Sequence, residues 1–266
     1  MNKRDIKSIK ANLAKGFQKD WFGGDCLVSH WFNAISMLLP RAEQFSLDTI
    51  GKFGDGRNRS IDNRAADIQK FFLDETIHGS LHQVYNDTLA EYGYENWIAS
   101  SLEKSIRHQN KHRSAIVLVS MIAGFEHITA TVAEDWLTRT HERHDIDKAV
   151  AAVWDLHAED ELDHRSAIFD FYQANGGGYF CRVFWYVCIT PPFVIRALVQ
   201  LAKLLRQDGK LMSLASAKSF IAFFFFSGGF FWAALPRWLD YFRPSFHPLQ
   251  RQLPILIGRS DRPGRS

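Results

Sequence analysis

Two short stretches carry the residue types that could do chemistry. "FFLDETIHGSLHQVYN" (71–86) contains Glu75-x-x-His78, and "WDLHAEDELDHRSAIFDFY" (154–172) contains Glu161-x-x-His164. At about 100° per residue, the glutamate and histidine of each pair share one helix face and can reach the same ion. Either pair alone could arise by chance. Two of them within apolar-periodic segments point to a dinuclear metal site, which also needs one glutamate from each of two further helices. Glu43 and Glu126 stand where that plan requires them. Two divalent cations held close together repel, so several carboxylates must surround and bridge them. Imidazoles complete each coordination sphere and leave positions open for water, oxygen or substrate.

Glu126 is the most informative of the six. It follows "IVLVSMIAGF" (116–125), in which nothing local can neutralise a carboxylate, so it must be protonated, paired with a neighbouring helix or bound to a cation. Glu43 can also be read as an exposed helix-end residue beside Arg41. His82 and His157 share faces with the two motifs, and either could ligate or orient a ligand. We read them as catalytic or orienting histidines rather than ligands. His127 points away from Glu126 and reads as structural. Asp74 and Asp163 are candidates for hydrogen bonds to ligands. GxSxG, P-loop, GxGxxG and HExxH patterns are absent, and three cysteines without a CxxC give no zinc site.

Helices must position these residues, because strand signals are weak throughout. A first core helix is expected over 26–50, interrupted near Pro40, and a second from about 62 to 92. A charged surface or crossover helix is expected over 94–110, a buried one over 114–137 and a fifth over 147–174, stopped by "NGGG" (175–178). Glu43 and Glu75 lie one helical hairpin apart, as do Glu126 and Glu161, and the gap between Glu75 and Glu126 leaves room for a crossover. That is the ferritin-like order. The expected fold is therefore all-α, with a ferritin-like four-helix bundle over 1–178. An aromatic-rich extension over 179–266, holding an apolar helical hairpin, would pack on the bundle or seat it.

Hydrophobic residues make up 46% of 266, enough for a substantial core. The net charge of +3 is mild and, apart from the basic tail from Arg251 to Arg265, spread out, which argues against nucleic acid as a partner. No signal-peptide core follows the basic first residues, and the odd cysteine count fits a reducing cytoplasm. The apolar stretches 179–205 and 219–239 read as a packed hairpin. Arg182, Pro191, Pro192 and Arg196 interrupt the first and the second is short, so peripheral membrane contact is the alternative to simple packing.

The chain resembles the bacterial family catalogued as predicted metal-dependent hydrolases. The resemblance runs from about 30 to 250 and rests on "LPRAEQF" (39–45), the 71–86 stretch, "GFEHITA" (124–130), "HAEDELDHRSAIFDFY" (157–172) and "YFRPSFHP" (241–248). It supports Glu43, Glu75, His78, Glu126, Glu161 and His164 as ligands. The family usually has glycine where this chain has Ala42, and commonly two glutamates where Asp160-Glu161 stand; neither change removes a ligand. Two activities are expected. The first is oxidation of a small apolar substrate by O2 at two irons, with an electron donor the sequence does not identify. The alternative, which the family name suggests, is hydrolysis at two metal ions such as zinc or manganese that lower the pKa of a bridging water. Metal storage or sensing fits less well with the long aromatic extension.

Overall fold

The computed structural model describes residues 3–54, 65–140, 145–226 and 228–250. The chain is all-α, and the described residues form no strand longer than one isolated bridge, Phe22 to Ile146. The helices are α1 (Lys3–Leu13), α2 (Cys26–Ser36), α3 (Leu39–Gly54), α4 (Ala65–Glu91), α5 (Ala99–His112), α6 (Ala115–Thr140), α7 (Lys148–Ala174), α8 (Tyr179–Gln207), α9 (Leu214–Phe225) and α10 (Phe230–Asp240). A bundle of α3, α4, α6 and α7 lies at the centre, with α5 connecting its two halves. Its four helices carry the four glutamates singled out above.

Local chemistry fixes the helix ends. Asp25 caps α2 by accepting from the Val28 amide, and Asp147 caps α7 by accepting from Ala149 and Val150. The interruption expected near Pro40 within 26–50 falls at Met37 and Leu38, which join two helices, and Pro40 itself sits in the first turn of α3, where its missing N–H costs nothing. This restart puts Glu43 on α3. Asn175 caps the C-terminus of α7, and Gly176 takes a φ of 82°. The expected apolar hairpin is different in its second limb. That limb begins earlier, at Leu214, and breaks near Gly228 (φ 78°) into α9 and α10. The first limb, α8, continues through Pro191 and Pro192 because α2 and α6 pack along it. Gly124 permits that approach, since a Cβ there would meet Ile189 Cδ1 at 3.0 Å. The basic first residues, for which no element was expected, hold α1.

The largest core cluster joins Trp21, Phe32, Trp136 and Trp154 to Leu201 of α8 and Phe223 of α9. Polar side chains stitch it. Asn33, fully buried, accepts at Oδ1 from Trp21 Nε1 and from the Tyr85 hydroxyl. Glu134 of α6 accepts from Arg165 Nη1 of α7 at 2.7 Å and from Arg237 of α10, a buried triad that fixes α10 to the bundle. Arg182 gives "YFRPSFHP" a physical role. Its guanidinium donates to the carbonyls of Arg243 and Phe246 among the rings of Phe169, Tyr179 and Tyr241. Asp208, at the end of α8, accepts from Tyr94 and from His30 at 2.9 Å, with Cys26 beside it. These bonds occupy Asp208, and burial pushes the Cys26 thiol up to about 12, so the group is a strap between α2 and α8.

Replacing Asn33 by alanine leaves two buried donors without an acceptor. Urea unfolding of Asn33→Ala should show a loss of about 2–4 kcal/mol, with the m-value unchanged.

Candidate metal centre

The interior of the bundle concentrates charge. Glu43 of α3, Glu75, His78 and His82 of α4, Glu126 of α6, and His157, Glu161 and His164 of α7 are each no more than 4% exposed. One ligand atom from each of Glu75, His78, Glu161 and His164 falls within 4.8 Å of the others, and so does one from each of Glu43, His78 and His157. His164 Nδ1 stands 2.8 Å from Glu75 Oε1 and 3.7 Å from Glu161 Oε1; His157 Nε2 stands 3.4 Å from Glu161 Oε1 and its Nδ1 3.7 Å from Glu43 Oε1. α4 and α7 run antiparallel here, so their two motifs face each other. Gly79 admits Glu43, since a Cβ on it would stand 3.2 Å from Glu43 Oε2.

The motifs are longer than the i, i+3 pairs alone. Each is Asp-Glu-x-x-His: "DETIH" (74–78) on α4 and "DELDH" (160–164) on α7. The aspartates bind crosswise. His78 Nε2 lies 3.3 Å from Asp160 Oδ2, and His164 Nε2 lies 3.3 Å from Asp74 Oδ2. A carboxylate only accepts, so each imidazole donates from Nε2 and turns Nδ1 toward the glutamates. Lys70 adds a contact to Asp74 at 3.1 Å. Burial would raise Asp74, but the hydrogen bonds from His164 and Lys70 outweigh it and hold the carboxyl below its ordinary range. Asp163 does not reach a histidine; it pairs with Lys70 at the surface.

Many inward-facing atoms have no hydrogen-bond partner among the described residues: both oxygens of Glu43 and Glu126, Glu75 Oε1, and Nδ1 of His78, His157 and His164. Even the 2.8 Å approach of His164 to Glu75 lacks hydrogen-bond alignment. Buried polar atoms in folded proteins are nearly always paired, so such a set marks a place for a cation. Electrostatics agrees. Burial and the neighbouring glutamates drive the carboxyls of Glu43 and Glu126 well above their ordinary range. Burial would also raise Glu75, but His164 and His78 overcome it and bring it down to about 2. Burial lowers His78 and His164, yet the facing carboxylates outweigh it, lifting His78 to about 9 and His164 in the same direction. Protons on these imidazoles take the part that bound cations would play. The residues fit bound metal cations.

The other histidines sort by their partners. His157, expected beside the centre, lies within it. His82 meets Ser36 Oγ through Nδ1 at 2.9 Å, and the Ser36 hydroxyl donates to Asn86, so His82 donates from Nδ1. Its Nε2 is left with a lone pair and no partner, and burial pushes this imidazole down to about 3. His127 faces away, donating from Nε2 to the Arg237 carbonyl. Thr129 hydrogen-bonds Glu161 Oε2 and orients it.

The raised pKa of Glu126 has a sign that can be measured in protein stripped of metal. Its folded carboxyl keeps a proton that the unfolded chain releases above about pH 4.5, so its contribution is full below that pH and declines as pH rises. Relative to the parent, Glu126→Gln should gain stability above pH 4.5 by up to about 1.4 kcal/mol per pH unit, read from denaturant midpoints across the range.

No curated protein and no solved structure gives a significant match to the chain. A family model does match, over residues 5–252, nearly the whole length. With the buried clusters able to hold metal ions, that match identifies the chain as a member of the predicted metal-dependent hydrolase family.

Proposed function

We propose that the chain hydrolyses an ester or amide at a dinuclear centre held by Glu43, Glu75, His78, Glu126, Glu161 and His164. His157 stands against both halves of the cluster. The observation that carries this reading is the set of buried, partnerless oxygens and nitrogens converging from four helices in a member of this family. Two divalent ions bound there, zinc or manganese among the options, would supply Lewis acidity and lower the pKa of a water. The protein's share is orientation and proton handling. Asp74 and Asp160 hold His164 and His78 with Nδ1 inward. His157, between Glu43 and Glu161, is placed to ligate or to take a proton. His82 keeps a lone pair on Nε2, with its ring centroid 4.9 Å from that of His157, and can relay that proton.

One observation favours a second reading. The cluster is walled by apolar groups, with the Trp154 ring 4.9 Å from His82 and 5.9 Å from His157. A water-poor wall suits O2-dependent oxidation of an apolar substrate at two irons. Metal analysis and turnover separate the two. The hydrolytic reading expects about two metals per chain and anaerobic cleavage of a chromogenic ester with a redox-silent metal; dependence on O2, a reductant and iron would replace it. Chelator competition should show Asp160→Asn weakening metal binding by about 10- to 100-fold, and Asp163→Asn leaving it unchanged.

For localisation we propose peripheral seating on an anionic membrane. Among the described residues three stretches are long and apolar enough to cross a bilayer, but Ala115–Thr138 is mostly buried in the bundle, whereas α8 and α9–α10 are mostly outside it. α8 bears an outward stripe of Phe180, Phe184, Val187, Ile195 and Leu198, and Met212 between α8 and α9 is 93% exposed. Over 179–239 the only acidic residue is Asp208, which the strap to Tyr94 and His30 occupies, whereas Lys203, Arg206, Lys210 and Lys218 cluster at the α8–α9 end. Such a face suits anionic lipid. Flotation with phosphatidylglycerol vesicles should recover the protein, neutral vesicles should recover less, and Met212→Ser with Leu214→Ser should weaken recovery. Equal recovery of parent and variant would remove the seat from this end.

A further inference from the structure

The side of α8 that flanks its outward stripe walls a cavity of about 190 Å³ against α3, α5 and α6. Its lining is dominated by apolar side chains, among them Phe45, Ile122, Phe125, Trp185 and Phe193. Ala42 and Phe125, which immediately precede Glu43 and Glu126, both border it, so it lies against two of the helices that build the cluster. One charged group stands in the wall. Arg196, half-buried, donates to Ser105 Oγ at 2.5 Å and to Ser101 Oγ at 3.2 Å. Among the described residues no carboxylate pairs with it. The guanidinium is therefore a fixed cation on neutral supports, beside an apolar chamber.

Phe193 connects this cavity to the centre. Its ring, 6.1 Å from that of Phe125, lines the large cavity and also a second void of about 10 Å³ bordered by His157, Thr129 and Trp154. Phe193 thus borders both the chamber and the void that reaches His157, the histidine that touches both halves of the cluster.

We propose that this cavity binds an anionic amphiphile, its acidic group on Arg196 and its hydrocarbon body running inward to Phe193. The recognition is that of a carboxylate or phosphate joined to an apolar chain; a neutral oil would leave Arg196 unused, and a small anion would leave the chamber unfilled. The orientation presents the end remote from the acid to His157. On that point the inference rests on the hydrolytic reading above, whereas the binding itself does not.

Calorimetric titration of the full-length protein tests it, with decanoate and decyl phosphate as probes below their micelle concentrations and decanol as the neutral comparator. One acid should bind per chain, and whichever of the two binds more tightly identifies the head group. Decanol, and either acid on Arg196→Gln, should bind about tenfold more weakly. Cys188→Trp and Met121→Trp, filling the chamber from opposite walls, should each abolish binding, and Phe184→Ser on the outward face should leave it unchanged. Phe193→Ala, which joins the two voids, should move the preferred acid to a longer chain. Equal affinity for decanol, binding that survives both tryptophan variants, or an unchanged chain-length preference would overturn the proposal. No turnover is read, so a failed titration leaves hydrolysis standing, and absent hydrolysis leaves a positive titration standing.

Discussion

The structure depends on the cost of holding four carboxylates inside one apolar bundle. Glu43, Glu75, Glu126 and Glu161 come from four different helices and are all buried. Negative charge at that density is tolerated only with positive charge among it or with protons on some of the carboxyls. Protonated Glu43 and Glu126, a depressed Glu75 and the raised imidazoles of His78 and His164 are the ways this chain balances itself with protons alone. A pair of divalent ions would do the same with fixed geometry.

The surroundings follow from that constraint. Helices α2 and α8 and the aromatic cluster around Trp136 and Trp154 enclose the bundle and keep water from its charges. The contacts that hold the enclosure are polar and specific: the Glu134 triad, the Arg182 fan of carbonyls and rings, and the Asp208 strap. Each joins an element of the last third of the chain to an earlier helix. In this way α8 serves two environments, with one face against the cavity and the other against the exterior.

Much of this was legible in the sequence because helical spacing maps directly onto helix faces. The two Glu-x-x-His pairs and the isolated Glu126 carried the placement of the cluster, and Pro40 announced the break that gives Glu43 its own helix, two residues later than the break itself. What escaped depends on contacts between helices. Asp160 has no role that local spacing reveals beside Glu161, because only the antiparallel pairing of α4 and α7 brings it to His78. His157 reads from spacing as a catalytic or orienting histidine, and its approach to Glu43 is set by how α3 packs, which no local pattern encodes. The split of α9 from α10 turns on a backbone conformation at Gly228 within a run that is otherwise uniformly apolar.

The crosswise bonds from Asp74 to His164 and from Asp160 to His78 also act as a ruler. Because the five-residue device occurs once on each of two oppositely directed rods, a slip of one rod by a single turn would undo both fastenings together rather than one at a time. The register of the bundle is therefore read at two points by the groups that serve its centre, and mis-registered packings of these rods lose both at once.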